Sequence, residues 1–368
     1  MAPACTTTAN RGSGKRMAQP VRLLILGTGG MARNHAEAFA AMPDVSLVAG
    51  IDTRPEPLAD FCDMHHIPNR FSSVDQALDW GEFDAVTNVT PDAAHYPTTM
   101  PFLAAKKHVL CEKPLATSSA DAEAMTAAAQ AAGVVNMVNL SYRNVAALQQ
   151  AARMVAEGAI GTVRHFEASY LQSWLTQPAW GDWRTESQWL WRLSTRHGSK
   201  GVLGDVGIHI LDFATFVAGQ PVAEVSCLLQ TFDKAPGGQI GDYVLDANDS
   251  ATMQVRLSNG ALGTVAATRF ATGHMNDLRL RIYGDKGGLE VGFENWASRL
   301  RACLGEDIAT ATWTEVETPV LPSIYERFIA AIRGEGKAEP DFARGAELQR
   351  LLDRAEQSAA KGGCSLPV

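Results

Sequence analysis

The chain holds no apolar run approaching the roughly 20 residues that a membrane-spanning helix needs, so a protein of that kind is not expected. Cysteine is scarce and scattered: Cys5, Cys62, Cys111, Cys227, Cys303 and Cys364 form no C-x-x-C pair. Neither a zinc site nor a disulfide framework is expected, no metal is implied, and a reducing cytoplasm is the expected compartment. Positive charge is short too. A formal net charge of −8 argues against non-specific binding to phosphate backbones, so no nucleic-acid partner is expected. Residues 1–20 carry Arg11, Lys15 and Arg16 but no apolar segment, unlike a secretory signal. They read as a disordered tail, or as an extension ahead of a start at Met17. Internal repeats are absent, and the alanine-rich stretch from Thr117 to Ala132 is the one tract of biased composition.

What is present is an ordinary globular composition, 46% hydrophobic and 20% charged over 368 residues, enough for two domains. Val21 to Leu26 is a short continuous apolar run, as expected of a strand buried on both faces. It runs into Gly27-Thr28-Gly29-Gly30-Met31-Ala32, and a helical pattern follows through His35, Phe39 and Met42. G-x-G-x-x-A between strand and helix is the arrangement that lays a pyrophosphate on a helix N-terminus. Gly27 permits the tight turn, Gly29 lets backbone approach phosphate, and Ala32 lets helix and strand pack closely. The next strand, Val45 to Ile51, ends at Asp52-Thr53-Arg54. An acid about 20 residues past the glycine turn is placed to bond a ribose 2′-hydroxyl. That favours NAD, because a carboxylate repels a 2′-phosphate, while Arg54 keeps NADP open. The plainer role for Asp52 is a cap on a helix starting near Pro55.

Strand signals at Asp84–Val89, His108–Cys111 and Val134–Asn139 alternate with helical ones at Ala93–Lys106 and Thr117–Ala132. Such alternation favours a parallel, doubly wound sheet, a Rossmann dinucleotide-binding domain over residues 21–141. Ile67 to Phe71 is ambiguous. The fourth strand ends at Thr90-Pro91-Asp92-Ala93-Ala94-His95, where Thr90 or Asp92 fits a helix cap. His95 fits a structural place and a cofactor contact equally. The fifth strand ends at Cys111-Glu112-Lys113-Pro114. Pro114 forbids a helix there and biases Lys113 toward extended backbone. Lys113 is thus held at the carboxyl edge of the sheet, where ligands bind and a lysine can act as acid or base. For an isolated E-K-P tripeptide, a surface lysine in a turn is the bland alternative.

Beyond Arg143 the pattern changes. A helix, Val145–Glu157, leads into strand signals at Val163–Leu171, Val222–Phe232, Ser250–Leu257, Ala261–Arg269, Leu278–Tyr283 and Leu289–Phe293. Asn259-Gly260 marks a hairpin. Helices at Ser323–Arg333 and Phe342–Lys361 close the chain. Residues 142–368 therefore read as an α+β domain with a large, mostly antiparallel open sheet. One sheet face is expected on helices and the other to be flat and fairly apolar, hence a self-association surface. Five tryptophans crowd one stretch: Trp174, Trp180, Trp183, Trp189 and Trp191. Flat indole faces suit the C–H surfaces of a sugar or cyclitol, and anchoring of a loop is the competing use. Asp205 and His209 stand at i and i+4, one helical turn apart, a spacing that most often gives a structural hydrogen bond.

G-x-G-x-x-A, Thr90-Pro91-x-x-x-His95, Glu112-Lys113-Pro114 and Asp205-x-x-x-His209 after a glycine-rich loop together resemble the glucose–fructose oxidoreductase, inositol dehydrogenase and MocA (Gfo/Idh/MocA) family. The resemblance runs from Val21 nearly to the end. It departs at Asp92, where asparagine is common, and at Lys107, where glycine is usual. It implies cofactor contacts from Gly27, Thr28, Gly29, Met31, Asp52, His95, Glu112 and Lys113. Asn139 and Arg143 match a pair near the nicotinamide, and Trp191-Arg192 a pair near the cofactor. Lys113, Asp205 and His209 match the catalytic set, and dimers or tetramers are implied.

The expectation is an NAD(P)-dependent oxidoreductase moving hydride between nicotinamide and a secondary alcohol of a sugar or cyclitol. Gly27 to Ala32, Asp52, Thr53, Arg54, Thr90, Pro91, His95, Glu112, Lys113, Asn139, Trp191 and Arg192 are its candidate cofactor contacts. Lys113, Arg143, Trp174, Asp205 and His209 are its candidate substrate contacts. His209 would be the base, Lys113 would bond the same oxygen or share in the proton transfer, and Asp205 would orient His209 and bond a neighbouring hydroxyl. The rivals are reduction of an aldose or anhydroketose, an NAD-retaining glycosidase, and a non-catalytic sugar or nucleotide sensor.

Overall fold

The computed structural model describes residues 19–368, so the expectations for most of the tail and for Met17 lie outside the described residues. The apolar runs β1 (Val21–Leu26) and β2 (Val45–Ile51) pair in parallel from Val21 opposite Val45. With β3 (Asn69–Phe71), β4 (Ala85–Asn88), β5 (His108–Cys111) and β6 (Asn136–Val138) they make one sheet, ordered β3-β2-β1-β4-β5-β6. All its pairings are parallel. The order reverses between β1 and β4, and that switch point is where such sheets bind dinucleotides. Helices α1 (Gly30–Ala40), α2 (Pro55–Met64), α3 (Val74–Trp80), α4 (Asp92–Ala104) and α5 (Ser119–Ala132) connect the strands. The ambiguous third region is β3. Helix α2 begins at Pro55, where the plainer reading of Asp52 placed a helix start, and the seven-residue α3 was not anticipated.

After α6 (Ala146–Ala156) the chain enters the second sheet at β7 (Val163–Leu171). Short α7 (Ser187–Leu190) and then α8 (Ile208–Ala218) precede β8 (Val222–Gln230). A small ladder of β9 (Gln239–Ile240) and β10 (Tyr243–Val244) stands apart. The meander continues through β11 (Ser250–Leu257), β12 (Leu262–Thr268), β13 (Asp277–Gly284), β14 (Gly287–Glu294) and β15 (Ala297–Leu304). Helix α9 (Asp307–Thr310) and the edge strand β16 (Thr314–Glu315) follow. The nine-stranded order is β16-β15-β14-β13-β7-β12-β11-β8-β17, with β17 at Leu366–Pro367 and only β7–β12 parallel. Asn259 and Gly260 form the expected hairpin, Gly260 at φ 85°. β15 was not anticipated.

Alternation in β11, β12 and β13 buries Met253, Val265 and Leu280 under α6 and α8. The opposite face overturns the expectation of an apolar surface. It carries Arg–Glu pairs: Arg279 with Glu294, Arg281 with Glu167 and Glu290, Arg301 with Glu290, and Arg256 with Glu224. Charged pairs reaching across neighbouring strands, not apolar side chains, thus cover that face.

The last helices return to the first sheet. Ile324, Phe328 and Ile329 of α10 (Ile324–Ile332) pack on Val21, Leu23 and Phe39. The Pro340 carbonyl accepts from the Val138 N–H at 2.9 Å. α11 (Phe342–Ala360) then lies so close over Leu115 and Val138 that a Cβ at Gly345 would sit 2.8 Å from Val138 Cγ2. The loop carrying Lys113 is thereby clamped by residues more than 200 positions away. No helix among the described residues is long and apolar enough to cross a membrane.

Candidate active site

The turn after β1 is built for close approach. Gly27 sits at φ 93°, and a Cβ there would meet the Val89 carbonyl oxygen at 2.9 Å. Added Cβ atoms at Gly29 and Gly30 would meet nothing within 4 Å, so the space above the turn is open. No side chain caps α1, which leaves its first N–H groups available to an anion. Ala32 is buried against the sheet, while Met31 is exposed. These features fit a dinucleotide pyrophosphate. Asp52 accepts from Thr28 N at 3.0 Å and Thr28 Oγ at 2.6 Å. It also accepts from Arg54 N at 2.9 Å, Nε at 3.0 Å and Nη2 at 2.9 Å. Burial opposes its charge, but the bonds from Arg54 and Thr28 hold it well below the usual carboxylate range. Thr53, Arg54 and Pro91 are exposed around this end of the sheet, and Thr90 is half-buried.

Behind that surface lie residues expected to touch the cofactor that turn inward instead. His95 is fully buried, with Nδ1 2.7 Å from the Pro114 carbonyl and Nε2 2.9 Å from the Thr90 carbonyl. Carbonyls only accept, so both nitrogens donate and the ring is an imidazolium. Burial opposes that charge, yet Cys111, Asp92 and the Pro114 carbonyl raise its pKa to about 10. His95 is a strut between the loops after β4 and β5, not a cofactor ligand. The cap on α4 is also reassigned: Pro91 takes that position, without a side-chain bond from Thr90 or Asp92.

Glu112 and Asn139 are likewise buried. Glu112 Oε1 accepts from His35 Nε2 at 2.8 Å and from Asn139 Nδ2 at 2.5 Å, and Oε2 accepts from the Lys113 N–H at 3.2 Å. Asn139 also reaches Tyr325 of α10 at 3.3 Å. Burial opposes the Glu112 charge, but contacts with His35 and Asn139 hold its pKa at about 2. The carboxylate next to Lys113 therefore anchors the loop from beneath.

Lys113 points out of this scaffold to the second half. Its Nζ donates to the Asp205 carbonyl at 3.0 Å and to Asp205 Oδ1 at 3.1 Å. Asp205 Oδ2 accepts from Arg269 Nη2 at 3.1 Å, with Arg192 Nε at 3.6 Å. Burial opposes the Asp205 charge, but Lys113, Arg192 and Arg269 hold it far below the usual range. The expected Asp205–His209 bond is absent. The chain from Leu203 to Gly207 is a π-turn, in which the Ile208 N–H bonds Leu203 five residues back. That wider turn rotates the i and i+4 side chains apart. His209 is 7% exposed and its Nδ1 has no hydrogen-bond partner among the described residues. Burial and the Lys113 charge lower its pKa to about 3, so the imidazole is neutral. Tyr142 meets it edge-on at 5.0 Å and bonds Tyr170 at 2.5 Å.

Arg269 was missed by sequence reasoning. It is 0% exposed, bonds the Arg192 carbonyl at 3.1 Å and lies 4.9 Å over the Trp174 ring. A signal was present, since Arg269, one residue past β12, continues the inward alternation of Val265 and Ala267. Trp174, expected on substrate, is 1% exposed and packs with Trp183, Leu190, Leu193 and Leu245. Trp180 and Trp189 lean on the same cluster, and Trp191 is half-buried beside Arg192. The tryptophan stretch is thus chiefly a satellite core beneath Arg269. Arg143, also expected on substrate, is buried in a bidentate pair with Asp212, at 2.6 and 2.8 Å. Its guanidinium also lies 3.6 Å over the Phe216 ring.

A six-stranded dinucleotide sheet with its glycine turn, joined to an open sheet through a lysine–aspartate contact, defines a two-part nicotinamide-dependent oxidoreductase. Residues 21–140 match the profile of an oxidoreductase family with an NAD-binding Rossmann fold, and residues 148–290 that of the GFO/IDH/MocA C-terminal domain. The chain belongs to the Gfo/Idh/MocA family, and its first half is an NAD-binding Rossmann domain. It is 27% identical over 386 aligned positions to the levoglucosan dehydrogenase of Pseudarthrobacter phenanthrenivorans, covering 93% of this chain and 97% of that protein. An oxidoreductase domain protein from Kribbella flavida superposes with a TM-score of 0.85 at 31% identity, over 95% of this chain and 100% of the other. A levoglucosan dehydrogenase complex with NADH and L-sorbose gives 0.84 at 27% identity, over 95% and 99%.

Proposed function

We propose that the protein is an NAD-dependent dehydrogenase of a secondary alcohol on a sugar or cyclitol, with Lys113 as the fixed donor and His209 as the base. The observation that carries this is the valence of Lys113. An ammonium has three donors; Asp205 takes two, and the third is left for a substrate oxygen. Asp205, itself held by Arg269, keeps Lys113 aimed. His209, neutral and lacking a partner at Nδ1, takes the hydroxyl proton on its imidazole as the carbon gives up hydride. Nicotinamide, when bound, supplies the hydride acceptor. The turn from Gly27 to Ala32 would hold its pyrophosphate, and Asp52, Thr53 and Arg54 would meet the adenosine ribose. Dehydrogenase relatives, among them levoglucosan dehydrogenase, support the substrate class.

On this reading residues 21–141 bind the cofactor and 142–368 carry the substrate, with α10 and α11 bracing the cofactor half. The polar outer face of the second sheet is the proposed contact in a homodimer or homotetramer. A cytoplasmic location agrees with the five cysteines among the described residues, which are all free, four of them buried. The deciding experiment is a panel of sugars and inositols with NAD and NADP in parallel. Reduction of NAD by at least one of them is expected. No turnover in either direction with any member would sink the proposal in favour of a sensor. Release of a leaving group without net NADH would point to a glycosidase.

A further inference from the structure

A sugar platform needs an aromatic face that a ligand can reach, and in the stretch from Trp174 to Trp191 two of the five indoles are buried and three half-buried. One tryptophan elsewhere is open. Trp296 is 82% exposed at the tip of the hairpin joining β14 to β15. Both tip residues, Asn295 and Trp296, sit in left-handed backbone, at φ 50° and 62°. A two-residue hairpin takes positive φ at both central positions, and Asn-Gly is its usual sequence, so a bulky indole stands here where glycine is the ordinary choice.

The register places this tip beside the reacting groups. Tyr170 of β7 stands opposite Leu278 of β13, which stands opposite Phe293 of β14, so the tip extends the sheet edge that borders His209. Ring contacts trace the same path. His209 meets Tyr142 at 5.0 Å, Tyr142 meets Phe293 at 5.6 Å, and Phe293 meets Trp296 at 6.1 Å. Polar groups flank its inner end, where Tyr170 and Gln172 both donate to Asn276 Oδ1, at 2.8 and 2.7 Å.

We propose that Trp296 is the outer platform of a carbohydrate site that begins at His209, and that the substrate is a glycoside whose second ring stacks on it. The proposal rests on the dehydrogenase reading above and narrows its substrate class. Trp296 stands three ring contacts out from His209, so what it meets is the group attached to the ring being oxidised. A pyranose offers its C–H face to the indole, while its hydroxyls stay in water.

The test compares one-ring and two-ring sugars, glucose with cellobiose and maltose, and galactose with lactose, in the wild type and in Trp296→Ala. The ratio of kcat/KM for the two-ring sugar to that for its one-ring parent is expected to fall about three- to tenfold, and Trp296→Phe to recover most of it. Acrylamide quenching gives a readout without turnover: a two-ring sugar should shield the exposed indole in the wild type and not in Trp296→Phe. An unchanged ratio with no shielding overturns the proposal. So does an indole already shielded without sugar in protein that light scattering shows to be oligomeric, because a second copy then covers it. If no sugar of either size is oxidised, the dehydrogenase reading fails by itself, and shielding by the two-ring sugars still decides for or against the platform.

Discussion

In the dinucleotide half, His95 donates from both ring nitrogens to backbone carbonyls; in the sheet half, His209 leaves Nδ1 with no partner. Both rings are buried, and their pKa values move in opposite directions, to about 10 and about 3. A buried histidine with both nitrogens engaged is part of the scaffold. One kept neutral by burial and a neighbouring cation has a ring that can still take up a proton. The contrast is between two rings and not between the halves as wholes: Lys113 of the first half brings a spare N–H to the junction, and the second half closes its own buried network in Arg143, Asp212 and Arg344.

The largest effect expected is on turnover, and it would break the contrast if absent. His209→Ala should lower kcat by roughly 10²–10⁴, while NAD affinity falls far less. Lys113→Met should also cost orders of magnitude, since the stem remains but all three donors go. His95→Asn removes a charged donor from buried carbonyls and should lower the unfolding free energy by about 1.5–3 kcal/mol. Its turnover should fall less than that of His209→Ala, because it acts only by holding the Pro114 loop. The check is steady-state kinetics beside urea unfolding for each variant. Near wild-type turnover in both His209→Ala and Lys113→Met would end the mechanism.

A smaller effect sharpens the comparison through pH. His209 has a folded pKa below its unfolded value of 6.5, so its contribution to stability is present above 6.5 and is lost as pH falls toward about 3. His95 has a raised folded pKa, so its contribution is present below 6.5 and is lost as pH rises through about 10. Buried carboxylates such as Glu112 add acid sensitivity only below their own ordinary range, roughly pH 4.3. Between about pH 6.5 and 4.5 His209 contributes up to about 1.4 kcal/mol per pH unit, and His108, whose pKa burial also lowers, adds to the slope in the same direction. Unfolding midpoints against pH should lose the His209 share of that slope in His209→Ala and lose the alkaline slope in His95→Asn. Identical profiles in wild type and variants would show that neither ring titrates as the geometry requires.

The halves also differed in how far they could be read. β1, β2, β5, β7 and β11 have the bounds that their apolar patterns imply, because a strand buried on one or both faces writes its period directly into the chain. The glycine turn was legible because its geometry is local. Asp205 and His209 were found, but not their relation, since a π-turn leaves no mark in a four-residue spacing. Trp174 and Arg143 were placed on substrate by residue type; long-range partners, Arg269 and Asp212, put both in the interior. Trp296 passed unnoticed because a turn flanked by ordinary strands does not show which sheet edge it joins.

The smallest effect expected concerns the cofactor end. Asp52 already receives five donors, more than the roughly four lone-pair sites of a carboxylate, and three come from Arg54. A ribose diol can bond Asp52 only if Arg54 swings away, and an Arg54 that swings away is placed to meet a 2′-phosphate. The two residues therefore set cofactor choice as a pair. Asp52→Ala should weaken NAD by about tenfold, or 1.4 kcal/mol, and narrow the gap to NADP. Arg54→Ala should tighten NAD slightly, by removing a competitor for the carboxylate, and weaken NADP. Fluorescence titration of both cofactors against the three proteins reads this. A wild type that prefers NADP by tenfold or more would show Arg54 to be the deciding partner, and the acid at the end of β2 would then be its anchor rather than the ribose ligand.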